Sequence, residues 1–283
     1  PRRLREKLGF YRHLFAADAF LNWLAHHRRW WLNPGTLVVT LILLASAVGF
    51  ILFPPQTAGL TAPLNQIQYT NEDLFLALLP LLFLFQVAVH ELAHGLACVL
   101  FGVRTGGFGF GLLWGVVPIF FTDTTDAYTL DNKYKRIAIS AAGPFVDLLF
   151  LGGCALLFWF STPGELLHRF MLAYTALPLG ALLINLNPFL IRVDGYWMLA
   201  DFIEEPNLRR STFKYLRAEL DRFLGRTPAE DVTITEITRS RRALYIVYAL
   251  VAAIWTLSFV SLFVFSFIRS ILDMAARYSM MGF

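Results

Sequence analysis

Five long apolar runs constrain this chain more than anything else in it: Leu37–Phe53, Leu74–Phe101, Ile137–Phe160, Phe170–Ile191 and Ala243–Ile268. A helix needs about 20 apolar residues to cross a bilayer. Strands of a β-barrel would be shorter and would alternate, whereas these runs are apolar on all faces. The runs predict an all-α polytopic membrane protein with about five transmembrane helices. Composition agrees, since only 16% of the 283 residues are charged and 57% are hydrophobic. A soluble domain carries about 25% charged and 45–50% apolar residues. That balance argues against a soluble enzyme, a disordered chain or a nucleic-acid partner, and makes the lipid bilayer the first partner. Beginning at Pro1, with no early apolar leader, the sequence reads as a piece of something longer.

The basic residues sort by position. Residues 1–36 hold seven Lys or Arg, 54–73 none, 102–136 four, 161–169 one, 192–242 ten and the tail two. This alternation follows the positive-inside rule and predicts a cytoplasmic N-terminus. It sets off a basic cytoplasmic segment (1–36) and a first span with an external loop (37–73); the core (74–210) is the stretch over which a family resemblance runs. A mixed-charge cytoplasmic segment (211–242) and a last span with a tail (243–283) follow. Leu208, Phe213, Leu216, Leu220 and Leu224 have the spacing of a surface helix, and Thr227–Ser240 reads as a polar loop. His26 and His27, set among Arg28, Arg29, Trp30 and Trp31, read as an interfacial anchor.

Two stretches depart from plain spans. Gly102–Phe121 alternates Gly with Phe and Leu, as in Gly107-Phe108-Gly109-Phe110-Gly111. Each interior Gly costs a helix about 1 kcal/mol against Ala, so a re-entrant β-hairpin packed near the second span is expected, covered by protein or lining a wet cavity. Pro188 denies the fourth span a donor and biases Asn187 to extended geometry. That span should break near Asn187 and restart near Asp194, over Gly195–Ile203. Gly143-Pro144 is expected to break the third span, with Ser140, Ala141, Ala142 and Gly143 allowing close helix packing.

Only Glu91 and Asp147 are acidic within the runs, and an ionisable group in lipid is a functional signal. Glu91 lies in His90-Glu91-Leu92-Ala93-His94. On a helix His90 and His94 share a face one turn apart. They can bind one metal ion while the intervening Glu reaches water beside it. Three polar groups in an apolar run also need partners, which a metal supplies to both His. A catalytic zinc takes three protein ligands, and the third candidates are Cys98, Asp147, Asp123, Asp126 and Asp194. His90 lies about 24 Å along its span, near the cytoplasmic face, the level that the Asp194 end of the fourth span also reaches. Asp147 reads as a hydrogen-bonding group more than a ligand.

His90-Glu91-Leu92-Ala93-His94, Ala142-Gly143-Pro144-Phe145-Val146-Asp147 and Asn187-Pro188 leading to Asp194-Gly195 resemble the site-2 protease family of intramembrane zinc metalloproteases. Asp194-Gly195-Tyr196-Trp197-Met198-Leu199-Ala200-Asp201, with Pro206-Asn207-Leu208-Arg209-Arg210, is similar to the bacterial peptide zinc metalloprotease branch. The resemblance implies Zn2+ held by His90, His94 and Asp194, with Glu91 as general base. It also implies that Asn187 and Pro188 help hold the substrate. The expected activity is hydrolysis of a peptide bond in a membrane-associated protein or peptide, at a bacterial plasma membrane, with the site nearer the cytoplasm. Two other readings are a metal or small-molecule carrier, and a non-catalytic scaffold in a larger membrane complex for peptide maturation or export. A carrier has no need of Glu91 beside the first His, and the intact motif argues against a scaffold.

Overall fold

Asn33 opens the first long helix. Its side chain accepts from the Thr36 N–H at 3.1 Å, and the Thr36 hydroxyl accepts from the Asn33 N–H at 3.1 Å. This reciprocal cap leaves Pro34 at the first turn, where its missing N–H costs nothing. The computed structural model describes residues 8–15, 17–55, 73–113, 117–189, 192–226 and 238–280. Its helices are α1 (Ala17–His26), α2 (Pro34–Leu52), α3 (Asp73–Leu100), α4 (Lys133–Phe160), α5 (Leu166–Asn185), α6 (Asp194–Ile203), α7 (Leu208–Phe223) and α8 (Arg239–Met280). Arg28–Trp31 and Thr125–Thr129 add single helical turns.

The chain is mostly helical, and five helices are long and apolar enough to cross a membrane: Pro34–Leu52, Leu78–Leu100, Lys133–Phe160, Leu166–Asn185 and Arg239–Leu262. They fall on the five apolar runs. The fourth helix stops at Asn185, earlier than the run that reaches Ile191; residues 190–191 lie outside the described residues. The same holds for most of the 54–73 loop and of the Thr227–Ser240 loop.

α4 is the central element, packing against α2, α3, α5 and α6. Its buried residues Ile139, Gly143, Asp147, Leu151, Ala155 and Phe158 recur at steps of three or four, one stripe down the helix. Below the site, Leu151, Ala155 and Phe158 pack with Ala47 and Phe50 of α2 and Leu172 of α5. The break expected at Gly143-Pro144 does not occur, for α4 runs through it unbroken from Lys133 to Phe160. A Pro is tolerated inside a membrane helix where neighbouring helices cover the freed backbone group, and α4 is covered on several sides.

The Gly-rich stretch pairs as antiparallel strands, β2 (Phe108–Leu113) and β3 (Val117–Thr122), with Gly111 opposite Ile119 and Gly109 opposite Phe121. A third strand, β1 (Leu8–Phe15), pairs antiparallel with the other side of β2. The sheet order β1-β2-β3 leaves β3 at an edge, where Pro118 fits because an edge strand can lack a donor. The N-terminal segment is fastened here as well. Ala17 and Leu21 of α1 pack with Phe108 against Leu92 and Leu96 of α3, and Asp18 accepts from the Thr105 backbone N–H at 3.1 Å and from its hydroxyl.

Candidate metal centre

Two elements deliver the donors. α3 presents His90 and His94 one turn apart on the face turned to α4, and both are buried. α6 presents Asp194 at its first residue. α5 ends at Asn185, and the chain turns back so sharply that a Cβ on Gly195 would lie 2.3 Å from the Leu186 carbonyl oxygen. Only glycine permits that approach. His90 Nε2 stands 3.2 Å from His94 Nε2 and 3.1 Å from Asp194 Oδ2. His94 Nε2 is 3.4 Å from Asp194 Oδ1. Ligand atoms on a tetrahedral zinc with bonds near 2.0–2.1 Å are about 3.3–3.4 Å apart, so this triangle has the size of one metal face.

The outer ring nitrogens decide the chemistry of the inner ones. His90 Nδ1 lies 2.9 Å from Asp147 Oδ2, and His94 Nδ1 lies 2.7 Å from the Ile139 carbonyl oxygen. Both partners can only accept, so each Nδ1 carries the proton and each neutral ring turns its lone pair inward from Nε2. Two lone pairs and a carboxylate then face one another in a buried space, an arrangement that a single cation satisfies. Among the described residues, His90, His94 and Asp194 are the group of His, Cys, Asp or Glu that can hold a metal ion.

The other candidates for third ligand sit elsewhere. Cys98 is buried in an apolar cluster with Val103, Ala127 and Ile139. Asp123 accepts from the Thr125 N–H at 3.1 Å and its hydroxyl at 2.5 Å. Asp126 opens the Thr125–Thr129 turn. Asp147 behaves as a hydrogen-bonding group. Besides His90 it accepts from Gln86 Nε2 at 2.8 Å, and Gln86 Oε1 in turn accepts from the Tyr174 hydroxyl at 3.2 Å. Gly143 does more than let helices pack closely. A Cβ there would stand 2.3 Å from His90 Nε2 and 2.4 Å from His94 Nε2.

Glu91 points to the sheet. Its Oε2 accepts the Thr122 N–H at 2.8 Å, while the Thr122 hydroxyl donates to the Glu91 carbonyl at 2.6 Å. Thr122 had no signal in the sequence. A cavity of about 440 Å³ opens beside these groups, walled by Glu91, His94, Asp194, Phe121, Thr122, Tyr128 and Trp197 among others. Asn187 and Pro188 are not among its lining residues. Asn187 Oδ1 accepts the Phe189 N–H at 2.8 Å, closing a turn, and the Pro188 carbonyl accepts from the Tyr248 hydroxyl at 3.3 Å. His26 and His27 lie apart from the centre, with His27 between the rings of Trp23 and Trp30.

Comparison with known proteins gives the family. The chain is 38% identical over 85 residues to "Uncharacterized protein MJ0971" of Methanocaldococcus jannaschii, an alignment covering 29% of this chain and 23% of that one. It is 28% identical over 121 residues to "Putative peptide zinc metalloprotease protein YydH" of Bacillus subtilis, covering 43% of this chain and 46% of that one. The chain thus matches about a quarter and about half of the lengths of these two relatives. No solved structure matches it. The model of peptidase family M50 matches residues 78–277, and the chain belongs to that family, the site-2 protease family.

Proposed function

We propose that this chain is a zinc endopeptidase that hydrolyses a peptide bond of a membrane-associated protein or peptide, with His90, His94 and Asp194 as ligands and Glu91 as general base. The observation that carries the reading is the inward convergence of two imidazole lone pairs and one carboxylate, each imidazole held in that tautomer by an acceptor on its outer nitrogen. The donor set suits zinc, which takes nitrogen and carboxylate ligands at a tetrahedral site. A bound zinc supplies Lewis acidity, which polarises a carbonyl and acidifies water.

The chain's own residues do the rest. Glu91 takes the proton from the attacking water and gives it to the leaving amine as the C–N bond breaks. The Thr122 N–H on Oε2 fixes the carboxylate beside the cavity. The substrate must be extended, because a helical amide is shielded by its own turn. The outer edge of β3 suits a substrate strand. Thr122 spends its N–H on Glu91 rather than on β2, so alternation along β3 puts the backbone of Phe120 on that same outer edge. We place the hairpin as re-entrant at the cytoplasmic side, the fourth span as broken between α5 and α6, and the N-terminus in the cytoplasm.

The test is metal and cleavage measured together. Glu91→Gln is expected to keep its zinc and lose at least about 100-fold in cleavage, the lower bound for general acid–base catalysis. His94→Ala is expected to lose the zinc. A Glu91→Gln protein that still cuts would remove Glu91 from the mechanism. The substrate is sought as the membrane-associated peptide that accumulates uncut in cells carrying Glu91→Gln. Asn187→Ala separates two contributions: a raised KM with kcat and zinc retained marks contact with substrate, whereas lost zinc marks a part in the turn before Asp194.

A further inference from the structure

α7 carries two exposed faces of different chemistry beside its packed one. Leu208, Thr212, Tyr215 and Ala218 are buried, and three of them cluster with Tyr196, Tyr245 and Tyr248. Around the helix, at about 100° per residue, lies an apolar stripe of Phe213, Leu220, Phe223 and, just past the end, Leu224. These are exposed by 58, 55, 88 and 51%. Next to the stripe stand Arg210, Lys214 and Arg217, also exposed, with the half-buried Asp221 among them, and at the start of the stripe the Arg209 guanidinium lies over the Phe213 ring. A helix surrounded by water would carry polar residues on such a stripe.

Its place in the fold says what covers it. Tyr245 and Tyr248 belong to the first turns of α8, six and nine residues after Arg239, roughly 9 and 14 Å along the axis. Arg239, Arg241 and Arg242 mark the headgroup end of that candidate span. Arg241 also pairs with Glu205 at 3.4 Å, which ties the turn ahead of α7 to that level. The ring of Tyr215 in α7 lies 5.8 Å from that of Tyr245. α7 is thus fastened to α8 at the depth where headgroups meet acyl chains.

We propose that α7 is an interfacial helix. Its Phe213, Leu220, Phe223 and Leu224 stripe enters the acyl boundary of the protein's own membrane, and Arg210, Lys214 and Arg217 bind anionic lipid headgroups. The pattern of a basic face beside an apolar one is that of a surface-lying helix, and the basic side complements the negative cytoplasmic leaflet. The turn over Glu204–Asn207 joins α7 to α6, whose first residue is Asp194, so lipid held by α7 also steadies the helix that carries Asp194.

The test uses the full chain with spin labels at Leu220→Cys, Phe223→Cys and, as reference, Arg217→Cys. Cys98 and Cys154 are buried, so the label reports on the introduced site. The protein is placed in vesicles of phosphatidylcholine alone and of equal parts phosphatidylcholine and phosphatidylglycerol. Labels at 220 and 223 should be relaxed by oxygen more than by a water-soluble nickel chelate. They should sit within about 5–10 Å of the headgroup boundary and deepen with phosphatidylglycerol. The triple change Arg210→Glu, Lys214→Glu, Arg217→Glu should abolish that deepening while the phosphatidylcholine signal stays. Equal access of the nickel chelate at all three sites would overturn the proposal in favour of a solvated helix. Shielding of 220 and 223 from both reagents would overturn it in favour of a protein partner.

Discussion

Gly143 is the residue on which the donor geometry leans hardest. Any Cβ there would come within 2.3 Å of His90 Nε2, so Gly143→Ala must displace the imidazoles. Metal analysis of the purified variant is expected to find most of the zinc lost, while the fold gives up only the roughly 1–3 kcal/mol that a misfitting methyl group costs a core. Asp147 acts at one remove. Replacing it with Asn weakens the acceptor on His90 Nδ1 and should lower zinc affinity by about 10–100-fold in a chelator competition, the usual effect of losing such a partner. His90, Glu91 and His94 stand out in the sequence because charge is so scarce within the apolar runs, whereas Asp194 is one of five candidates until the family resemblance singles it out. Gly143 and Thr122 do not stand out. Nothing in their spacing says that one faces the imidazoles across a helix interface or that the other lends Glu91 its backbone N–H.

At the scale of elements, the turn between α5 and α6 is the part that brings Asp194 to the two imidazoles. Gly195→Ala forces a Cβ against the Leu186 backbone. It should lower zinc content even though Gly195 is not a ligand, and Gly195→Ser should do no better. The far end of α6 is held by Arg136, whose Nε donates to the buried Asp201 at 2.7 Å. Asp201→Ala leaves that half-buried guanidinium without its carboxylate and should destabilise the protein by about 1.5–3 kcal/mol, the range for a hydrogen bond to a charged group, measured by unfolding in detergent. The five long helices were readable from apolar length, α7 from the spacing of its apolar residues and the pairing of β2 with β3 from the alternating glycines; α1 was not, for its ten residues form no long apolar run. β1 was not, because its partner Leu113 lies more than a hundred residues from Leu8 and the short segment carries no signal of that pairing. The unbroken α4 likewise depends on neighbours that a local rule for proline does not include.

At the scale of the whole molecule, the proposed orientation, with a cytoplasmic N-terminus, rests on the distribution of basic residues. Cysteines placed in loop 54–73 should react with a membrane-impermeant maleimide added outside intact cells. Those placed on the basic face of α7, at 210, 214 or 217, should react only after the membrane is opened, with buried Cys98 and Cys154 silent in both cases. On the proposed orientation, the cut falls on the cytoplasmic side of the bilayer. The most direct check on the site is zinc X-ray absorption of the purified protein. One zinc per chain, with nitrogen and oxygen neighbours near 2.0–2.1 Å that include two imidazoles, is the expected result. A sulfur neighbour near 2.3 Å, which would bring in Cys98, or a protein that binds no zinc, would contradict it.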